Sequence, residues 1–175
     1  MNKAIIITGT PGTGKTTISQ MLSTHGYEVH EVGKIVKEKH LYTLYDDEME
    51  CYVVDDSLLT PVLVELIENN NSPNPIILDG HVMIIPFEYI YHCIVLRSSI
   101  KNLRTRLEKR EYKPSKIEEN VEAEIMEVIL TEMLESYGEE NVSVVNTDET
   151  EEKSCNDILN IIRGRKKRKE EDSTC

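Results

Sequence analysis

Short apolar runs alternate with amphipathic segments along most of this chain. Five runs of strand length, KAIIIT, YEVHEV, PIILD, YHCIVL and VSVVN, occupy residues 3–8, 27–32, 75–79, 91–96 and 142–146. Segments with helical spacing of apolar residues separate them at 16–25, 57–70, 98–110, 115–137 and 151–163. A further short helix, followed by a polar, tyrosine-rich stretch, is expected within residues 33–56. This alternation predicts an α/β fold, with a five-stranded parallel sheet covered by helices on both faces.

A glycine-rich segment, GTPGTGKTT, follows the first apolar run at residues 9–17. It matches the phosphate-binding pattern G-x-x-x-x-G-K-[ST] at Gly9, Gly14, Lys15 and Thr16. Glycines allow backbone N–H groups to approach phosphate oxygens, Lys15 supplies a positive charge, and the Thr16 hydroxyl suits Mg²⁺. A strand before the motif and a helix after it favour a phosphate-binding loop (P-loop) over a surface turn.

Two polar residues follow the third apolar run. Asp79 stands where the acid of a P-loop protein orients Mg²⁺, directly or through its water shell, although it could instead cap the strand end at Gly80. His81 is either incidental or placed to orient a water or the transferred phosphoryl group. Ligands of parallel sheets bind beyond the carboxyl ends of the strands, so residues 9–16, 79–81 and the segment after Leu96 are expected to converge.

Four arginines lie in RSSIKNLRTRLEKREYK, residues 97–113. They are Arg97, Arg104, Arg106 and Arg110. Arg106 and Arg110 are four residues apart and share one helical face. Arginines that close over ATP stabilise the charge of the transferring phosphoryl group. The alternative is ion pairing with nearby glutamates, Glu108 and Glu111, which suits Arg104 better than Arg110.

The 175 residues are sufficient for one domain with a single core. Their net charge of −12 is uneven, because residues 163–175 carry +3 and the remainder −15. Such an acidic body argues against broad nucleic-acid binding and favours basic partners.

The four cysteines lack C-x-x-C or metal-ligand spacing, which favours reduced thiols in an intracellular protein. We detect no signal peptide or membrane span in the sequence.

The predicted helix at 115–137 is strongly acidic. Seven glutamates occupy it, and no Lys or Arg falls between Glu118 and Glu135. A solvated acidic face is one interpretation, and a docking face for a basic partner is the other.

The arrangement of motifs distinguishes among P-loop proteins. The guanine-reading motif N-K-x-D is missing, and a polar segment at about 31–55 and an arginine-bearing segment at about 109–119 resemble the acceptor-binding segment and lid of a nucleoside monophosphate kinase. More specific runs are VGK at 32–34, LYTLYDDEMECYVVDD at 41–56, LDGH at 78–81, VLR at 95–97 and RLEKREY at 106–112. Together with the P-loop, they resemble the nuclear adenylate kinase isoenzyme 6 family of coilin-interacting nuclear ATPases and their yeast ribosome-assembly counterpart.

This resemblance implies a kinase-type domain over residues 1–162 and the reaction ATP + AMP ⇌ 2 ADP, with broad acceptor tolerance, slow ATP hydrolysis and Mg²⁺. It also implies action in small ribosomal subunit (18S rRNA) maturation, through a small-subunit ribosomal protein and the pre-ribosome, in nucleus and cytoplasm. The alternative is an ATP-dependent assembly chaperone with vestigial kinase activity. The basic residues 163–175 lie outside the resemblance and are expected to be a disordered tail, a nuclear import signal or an RNA-contacting arm.

The resemblance also implies roles for individual residues. Catalysis would use Lys15, Asp79, His81 and Arg110; ATP would contact Gly12, Thr13, Gly14, Lys15, Thr16, Thr17 and Arg110; Thr16 and Asp79 would serve Mg²⁺; Gly33 and Lys37 would bind the acceptor monophosphate. Two positions depart from the family. The family often has Arg at the position of Lys37, and a lysine cannot make the bidentate phosphate contact of an arginine. Glu111 replaces a glycine after the lid arginine, which would stiffen the lid or repel phosphates.

Overall fold

A computed structural model describes residues 2–47, 51–81 and 83–172 of the chain. The first half contains β1 (Ala4–Gly9), α1 (Lys15–Thr24), β2 (Val29–Glu31), α2 (Val32–Lys39), β3 (Tyr42–Asp46), β4 (Cys51–Val54), α3 (Asp56–Glu68) and β5 (Ile76–Asp79). The second half contains β6 (Ile90–Arg97), α4 (Ile100–Glu108), α5 (Pro114–Ile125), α6 (Val128–Tyr137), β7 (Val142–Asn146) and α7 (Glu151–Asp172). Short 3₁₀ helices lie at Phe87–Tyr89 and Glu139–Asn141.

Five strands form the predicted parallel sheet, in the order β2-β5-β1-β6-β7. The central strand β1 pairs with β5, where Ile7 lies opposite Asp79, and with β6, where Gly9 lies opposite Leu96. The carboxyl ends of these three strands therefore meet at one edge of the sheet. The predicted convergence of the glycine-rich loop, Asp79–His81 and the segment after Leu96 is confirmed.

Alternate residues of β1 face two separate hydrophobic clusters. Ala4 and Ile6 belong to a cluster that includes buried residues of α2, α3 and α6, whereas Ile5 and Ile7 pack in a cluster with α1 and α7. Side chains of successive strand residues point to opposite faces, so both faces of the sheet are buried. The prediction that helices cover both faces is confirmed. No helix in the described part of the chain is long and apolar enough to cross a membrane.

Three local features differ from the predicted boundaries. The second strand is shorter than the predicted 27–32. The tyrosine-rich stretch contains an antiparallel hairpin of β3 and β4, which is stabilised by contacts between Tyr52 and the rings of Tyr42 and Tyr45.

Residues 163–172 continue α7, where a disordered tail is expected from the composition. Lys and Arg are good helix formers, so a helix that begins in a packed segment can extend through them. Residues 48–50 and 173–175 lie outside the described residues.

The predicted helix at 115–137 is two helices, α5 and α6. Glu127 between them adopts a left-handed backbone conformation, with φ of 54°. Arg97 holds this turn, because its guanidinium donates to the Glu127 carboxylate at 2.7 Å and to the Glu124 carbonyl at 2.9 Å. The apolar spacing continues through the break, so periodicity alone could not reveal it.

Candidate functional site

The glycine-rich loop is constrained by close backbone approaches. Gly9 and Gly12 have φ of 146° and 94°, a region that strains residues with a side chain. A Cβ on Gly9 would lie 2.4 Å from the carbonyl oxygen of Leu96, and one on Gly12 would lie 3.0 Å from Leu103 and Leu107 side-chain atoms. Both positions therefore require glycine for the loop to pack against β6 and α4.

Lys15 begins α1, and its ammonium group lies inside the loop. Its Nζ donates to the carbonyl oxygens of Gly9 at 2.6 Å and Thr10 at 3.1 Å. Burial lowers the pKa of Lys15 to about 8; the Asp79 carboxylate opposes this shift and Arg110 reinforces it. The loop thus holds a cation at the helix N-terminus, where phosphate groups bind in P-loop proteins.

A cleft of about 460 Å³ opens beside this loop. Its walls come from the loop, α2, the hairpin of β3 and β4, the end of β5 and the lid. Most of the predicted site residues line it: Gly12, Gly14, Lys15, Thr16, Gly33, Lys37, Asp79, His81 and Arg110. The hairpin contributes Cys51 and Tyr52, which sequence reasoning did not single out. We call this space the first cleft.

A second cleft of about 280 Å³ adjoins the other side chains of the loop. It is lined by the remaining predicted residues, Thr13 and Thr17, and by residues of α4, α7 and the loop after β7, including Arg106, Lys109, Thr147, Glu151 and Ser154. Gly12, Gly14 and Arg110 line both clefts. The glycine-rich loop and Arg110 therefore lie where the two clefts meet.

Asp79 is buried at the end of β5, with 5% of its surface exposed. Burial raises its pKa, while the Lys15 charge and the hydroxyls of Ser19 and Thr16 favour the ionised form. Its Oδ2 atom has no hydrogen-bond partner among the described residues. A carboxylate oxygen and a threonine hydroxyl are hard donors that suit Mg²⁺, which binds phosphate sites through few protein ligands. These residues therefore fit the predicted metal site.

His81 follows Asp79 by two residues at the mouth of the first cleft. It is exposed on the cleft side, but surrounding protein atoms and the nearby Lys15 ammonium lower its pKa. The neutral imidazole consequently prevails at pH 7, and it can donate one hydrogen bond and accept another.

Residues 109–113, the first part of the segment predicted as the lid, connect α4 to α5, and the remainder of that segment lies in α5. Tyr112 lines the first cleft, and the Lys113 ammonium donates to the Asp47 carbonyl of the hairpin at 3.3 Å. The lid therefore contacts the opposite wall of the first cleft. Glu111, which departs from the family glycine, has φ of 56°, the left-handed conformation that glycine adopts without strain.

The other arginines of residues 97–113 have protein partners. Arg97 pairs with Glu124 and Glu127, and Arg104 pairs with Glu118 rather than with the two glutamates expected from the sequence. Arg106 donates to the Thr147 hydroxyl at 3.1 Å and to its carbonyl at 2.5 Å, while still lining the second cleft. The Arg110 guanidinium has no hydrogen bond or ion pair among the described residues, and Arg110 is the arginine shared by both clefts.

The acidic face predicted for 115–137 is discontinuous in the structure. Glu118 and Glu127 are ion-paired, and Glu124 is buried with 2% of its surface exposed. Among the seven glutamates, Glu124 stands apart because it contacts the glycine-rich loop. Sequence reasoning treated it as another surface acid, since nothing in the apolar spacing distinguishes it.

A P-loop at the carboxyl edge of a parallel sheet, bordered by two clefts, defines the P-loop kinase class. Residues 5–127 match the family described as AAA domain. A protein of Methanocaldococcus jannaschii, provisionally named an adenylate kinase, is 40% identical over 94% of this chain and 89% of its own length. The Saccharomyces cerevisiae adenylate kinase isoenzyme 6 homolog FAP7 is 34% identical over 90% of this chain and 79% of its own length.

The chain belongs to the adenylate kinase isoenzyme 6 family, as the resemblance of its motifs implied. The solved structure of TT1252 from Thermus thermophilus shares the fold, with a TM-score of 0.61 at 16% identity over 93% of this chain and 97% of that one. The fold prediction and the family prediction are both confirmed.

Substitutions at Asp79 and His81 are expected to separate their predicted roles. Asp79→Asn should weaken Mg²⁺-dependent catalysis, because the amide lacks the charge that attracts the ion. His81→Gly should slow ATP hydrolysis and leave ATP affinity nearly intact, because the imidazole serves a water molecule rather than the nucleotide. Turnover over a Mg²⁺ titration and ATP binding by calorimetry measure these effects. A loss of ATP affinity in His81→Gly would show that the assigned roles are wrong.

Proposed function

We propose that this protein is an adenylate kinase that transfers the γ-phosphoryl group of ATP to AMP, tolerates other monophosphates and hydrolyses ATP slowly. The observation that carries this proposal is the shared wall of the two clefts, formed by Gly12, Gly14 and Arg110. Direct transfer needs two nucleotides whose phosphates meet, whereas hydrolysis needs one nucleotide and a water. Membership in a family named for adenylate kinase supports the same reaction.

The second cleft would take the ATP base, beside Arg106 and Thr147, and the P-loop would take its phosphates. The acceptor would lie in the first cleft, with its phosphate near Gly33 and Lys37. An oxygen of the acceptor phosphate attacks the γ-phosphorus, the bond from that phosphorus to the ADP oxygen breaks, and two nucleoside diphosphates result. Lys15 and Arg110 neutralise charge on the transferring group.

Mg²⁺ would be held by Thr16 and Asp79, and when bound it neutralises charge on the β and γ phosphates. The contact between Lys113 and the Asp47 carbonyl of the hairpin supports a role for the lid, which would limit the access of water to the first cleft during transfer. Without an acceptor, a water near the neutral His81 imidazole would take its place, which accounts for slow hydrolysis.

A coupled assay of ADP formation tests the proposal, run with ATP alone and with each nucleoside monophosphate. We expect AMP to accelerate ADP formation without releasing inorganic phosphate. Lys15→Ala should lower the rate at least about a hundredfold, because it removes the cation held against the phosphates. Lys39→Ala, an exposed residue outside both clefts, is the control. Phosphate release that equals ADP formation under all conditions, or near-normal turnover in Lys15→Ala, would contradict the proposal.

Replacement of Lys37 by arginine is expected to raise the affinity for the acceptor monophosphate. Lys37 is exposed in the first cleft, in the last turn of α2. We expect Lys37→Arg to lower the KM for AMP several-fold, up to about tenfold, because a guanidinium makes two parallel hydrogen bonds to phosphate. Lys39→Arg, in the same turn but outside the cleft, is the matched control. An unchanged KM for AMP in Lys37→Arg would remove Lys37 from the acceptor site.

A second candidate function is ATP-dependent assembly of the small ribosomal subunit in nucleus and cytoplasm, with a small-subunit ribosomal protein as partner. The observation that favours it is the charge of −15 outside the basic segment 163–175, which complements a basic protein. That basic segment would provide nuclear import or RNA contact. In this alternative, nucleotide state controls the partner and phosphoryl exchange is vestigial.

Charge reversal on α5 and α6 tests this partner surface. Glu119, Glu122 and Glu135 are suitable targets because they are exposed, whereas reversal of Glu118 or Glu127 would also break an ion pair. Their joint substitution by Lys should slow association with a purified basic ribosomal protein and flatten its salt dependence, because exposed charges act mainly on encounter rates. A control with Lys at Glu65, Glu88 and Glu152 makes the same charge change elsewhere. Equal slowing in both variants would show that net charge, rather than this face, is responsible.

A further inference from the structure

A buried carboxylate near the end of α5 contacts the P-loop. This residue, Glu124, is 2% exposed and lies far along the sequence from the loop. From its contacts we infer that Glu124 is a positioning residue, which holds the first turn of the P-loop in its phosphate-binding conformation. The effect of Glu124 on phosphoryl transfer rests on the proposed kinase function.

The link to the P-loop runs through Thr10. The Thr10 hydroxyl donates to Glu124 Oε2 at 2.5 Å. The Thr10 carbonyl in turn accepts from the Lys15 ammonium at 3.1 Å, from the Thr13 backbone N–H at 3.2 Å and from the Thr13 hydroxyl at 2.8 Å. The orientation of this one peptide group therefore sets the positions of Lys15 and Thr13. Glu124 helps to fix that orientation by accepting the hydrogen bond of the Thr10 hydroxyl.

The other oxygen of the carboxylate is held by the end of β6. Arg97 Nε donates to Glu124 Oε1 at 2.6 Å, and the Ser98 N–H donates to the same oxygen at 3.3 Å. A buried carboxylate is costly unless it is paired and hydrogen-bonded, and here both oxygens have charged or polar donors. Since Arg97 also holds the turn at Glu127, the carboxyl end of α5 is fastened to the edge of the sheet.

The opposite end of α5 begins at the lid. Helix α5 has 12 residues and therefore spans about 18 Å as a rigid rod. It packs on α4 through Ile117 and Val121, which cluster with Leu103 and Leu107, the two leucines that also contact the region of Gly12. This packing holds the first part of α5, and Arg97 holds its carboxyl end. Glu124 is therefore kept at a fixed position beside Thr10.

Substitution of Thr10 tests the hydrogen bond between Thr10 and Glu124 without changing either residue of the Arg97–Glu124 pair. Thr10→Val keeps the shape of the side chain and removes the hydroxyl, whereas Thr10→Ser keeps the hydroxyl. In nucleotide-free protein, we expect amide hydrogen exchange over residues 10–17 to accelerate about tenfold in Thr10→Val, with ATP affinity weakened about tenfold, or ~1.4 kcal/mol. Thr10→Ser should restore both values. Glu124→Gln should also accelerate exchange, and the exposed Glu122→Gln is its control on the same helix.

The urea midpoint of unfolding separates positioning from general stability. We expect it to fall modestly in Thr10→Val, because Glu124 Oε2 stays buried without its donor, and to return to the wild-type value in Thr10→Ser, with exchange accelerated more in the P-loop than in the sheet. Wild-type exchange and ATP affinity in Thr10→Val would overturn the inference, as would acceleration spread evenly over the sheet with a lower midpoint. If the wild-type protein transfers no phosphoryl group, the proposed kinase function fails, yet the exchange comparison in nucleotide-free protein still decides the role of Glu124.

Discussion

The ammonium group of Lys15 is buried against two carbonyl oxygens of its own loop, and the rest of the site is arranged around that charge. A buried cation is stable only where dipoles or anions surround it. The Gly9 and Thr10 carbonyls provide the dipoles, and the Asp79 carboxylate is the anion that raises the pKa of Lys15 most. The loop can supply its carbonyls only because Gly9 lies against β6 without a side chain. Central placement of β1 then brings Asp79 and β6 to the same edge.

Those features that depend on local chain chemistry could be predicted from the sequence. The apolar strands require burial on both faces, which forces a parallel sheet with helices on each side. The P-loop pattern combines glycines at left-handed positions with a lysine at a helix start, and few other structures require both. Asp79 is predictable because a carboxylate at the end of a fully apolar strand needs a polar environment at the sheet edge.

Features that depend on tertiary contacts could not be predicted in this way. Glu124 is one acid among seven in its segment, and only the packing of α5 on the sheet edge brings it to Thr10. The break at Glu127 is held by Arg97, a residue 30 positions earlier, while the apolar spacing runs through it unchanged. The hairpin of β3 and β4 was missed because its tyrosines pack on one another rather than alternating between a core and solvent.

The proposed phosphoryl transfer requires two nucleotides on either side of one P-loop, with their phosphates in line. A single molecule that joins two adenosines through five phosphates would occupy both clefts at once. Calorimetry should show one such molecule bound per chain, far more tightly than ATP or AMP alone, with ATP and AMP both excluded from the complex. Binding no tighter than that of ATP, or continued AMP binding in its presence, would contradict the claim.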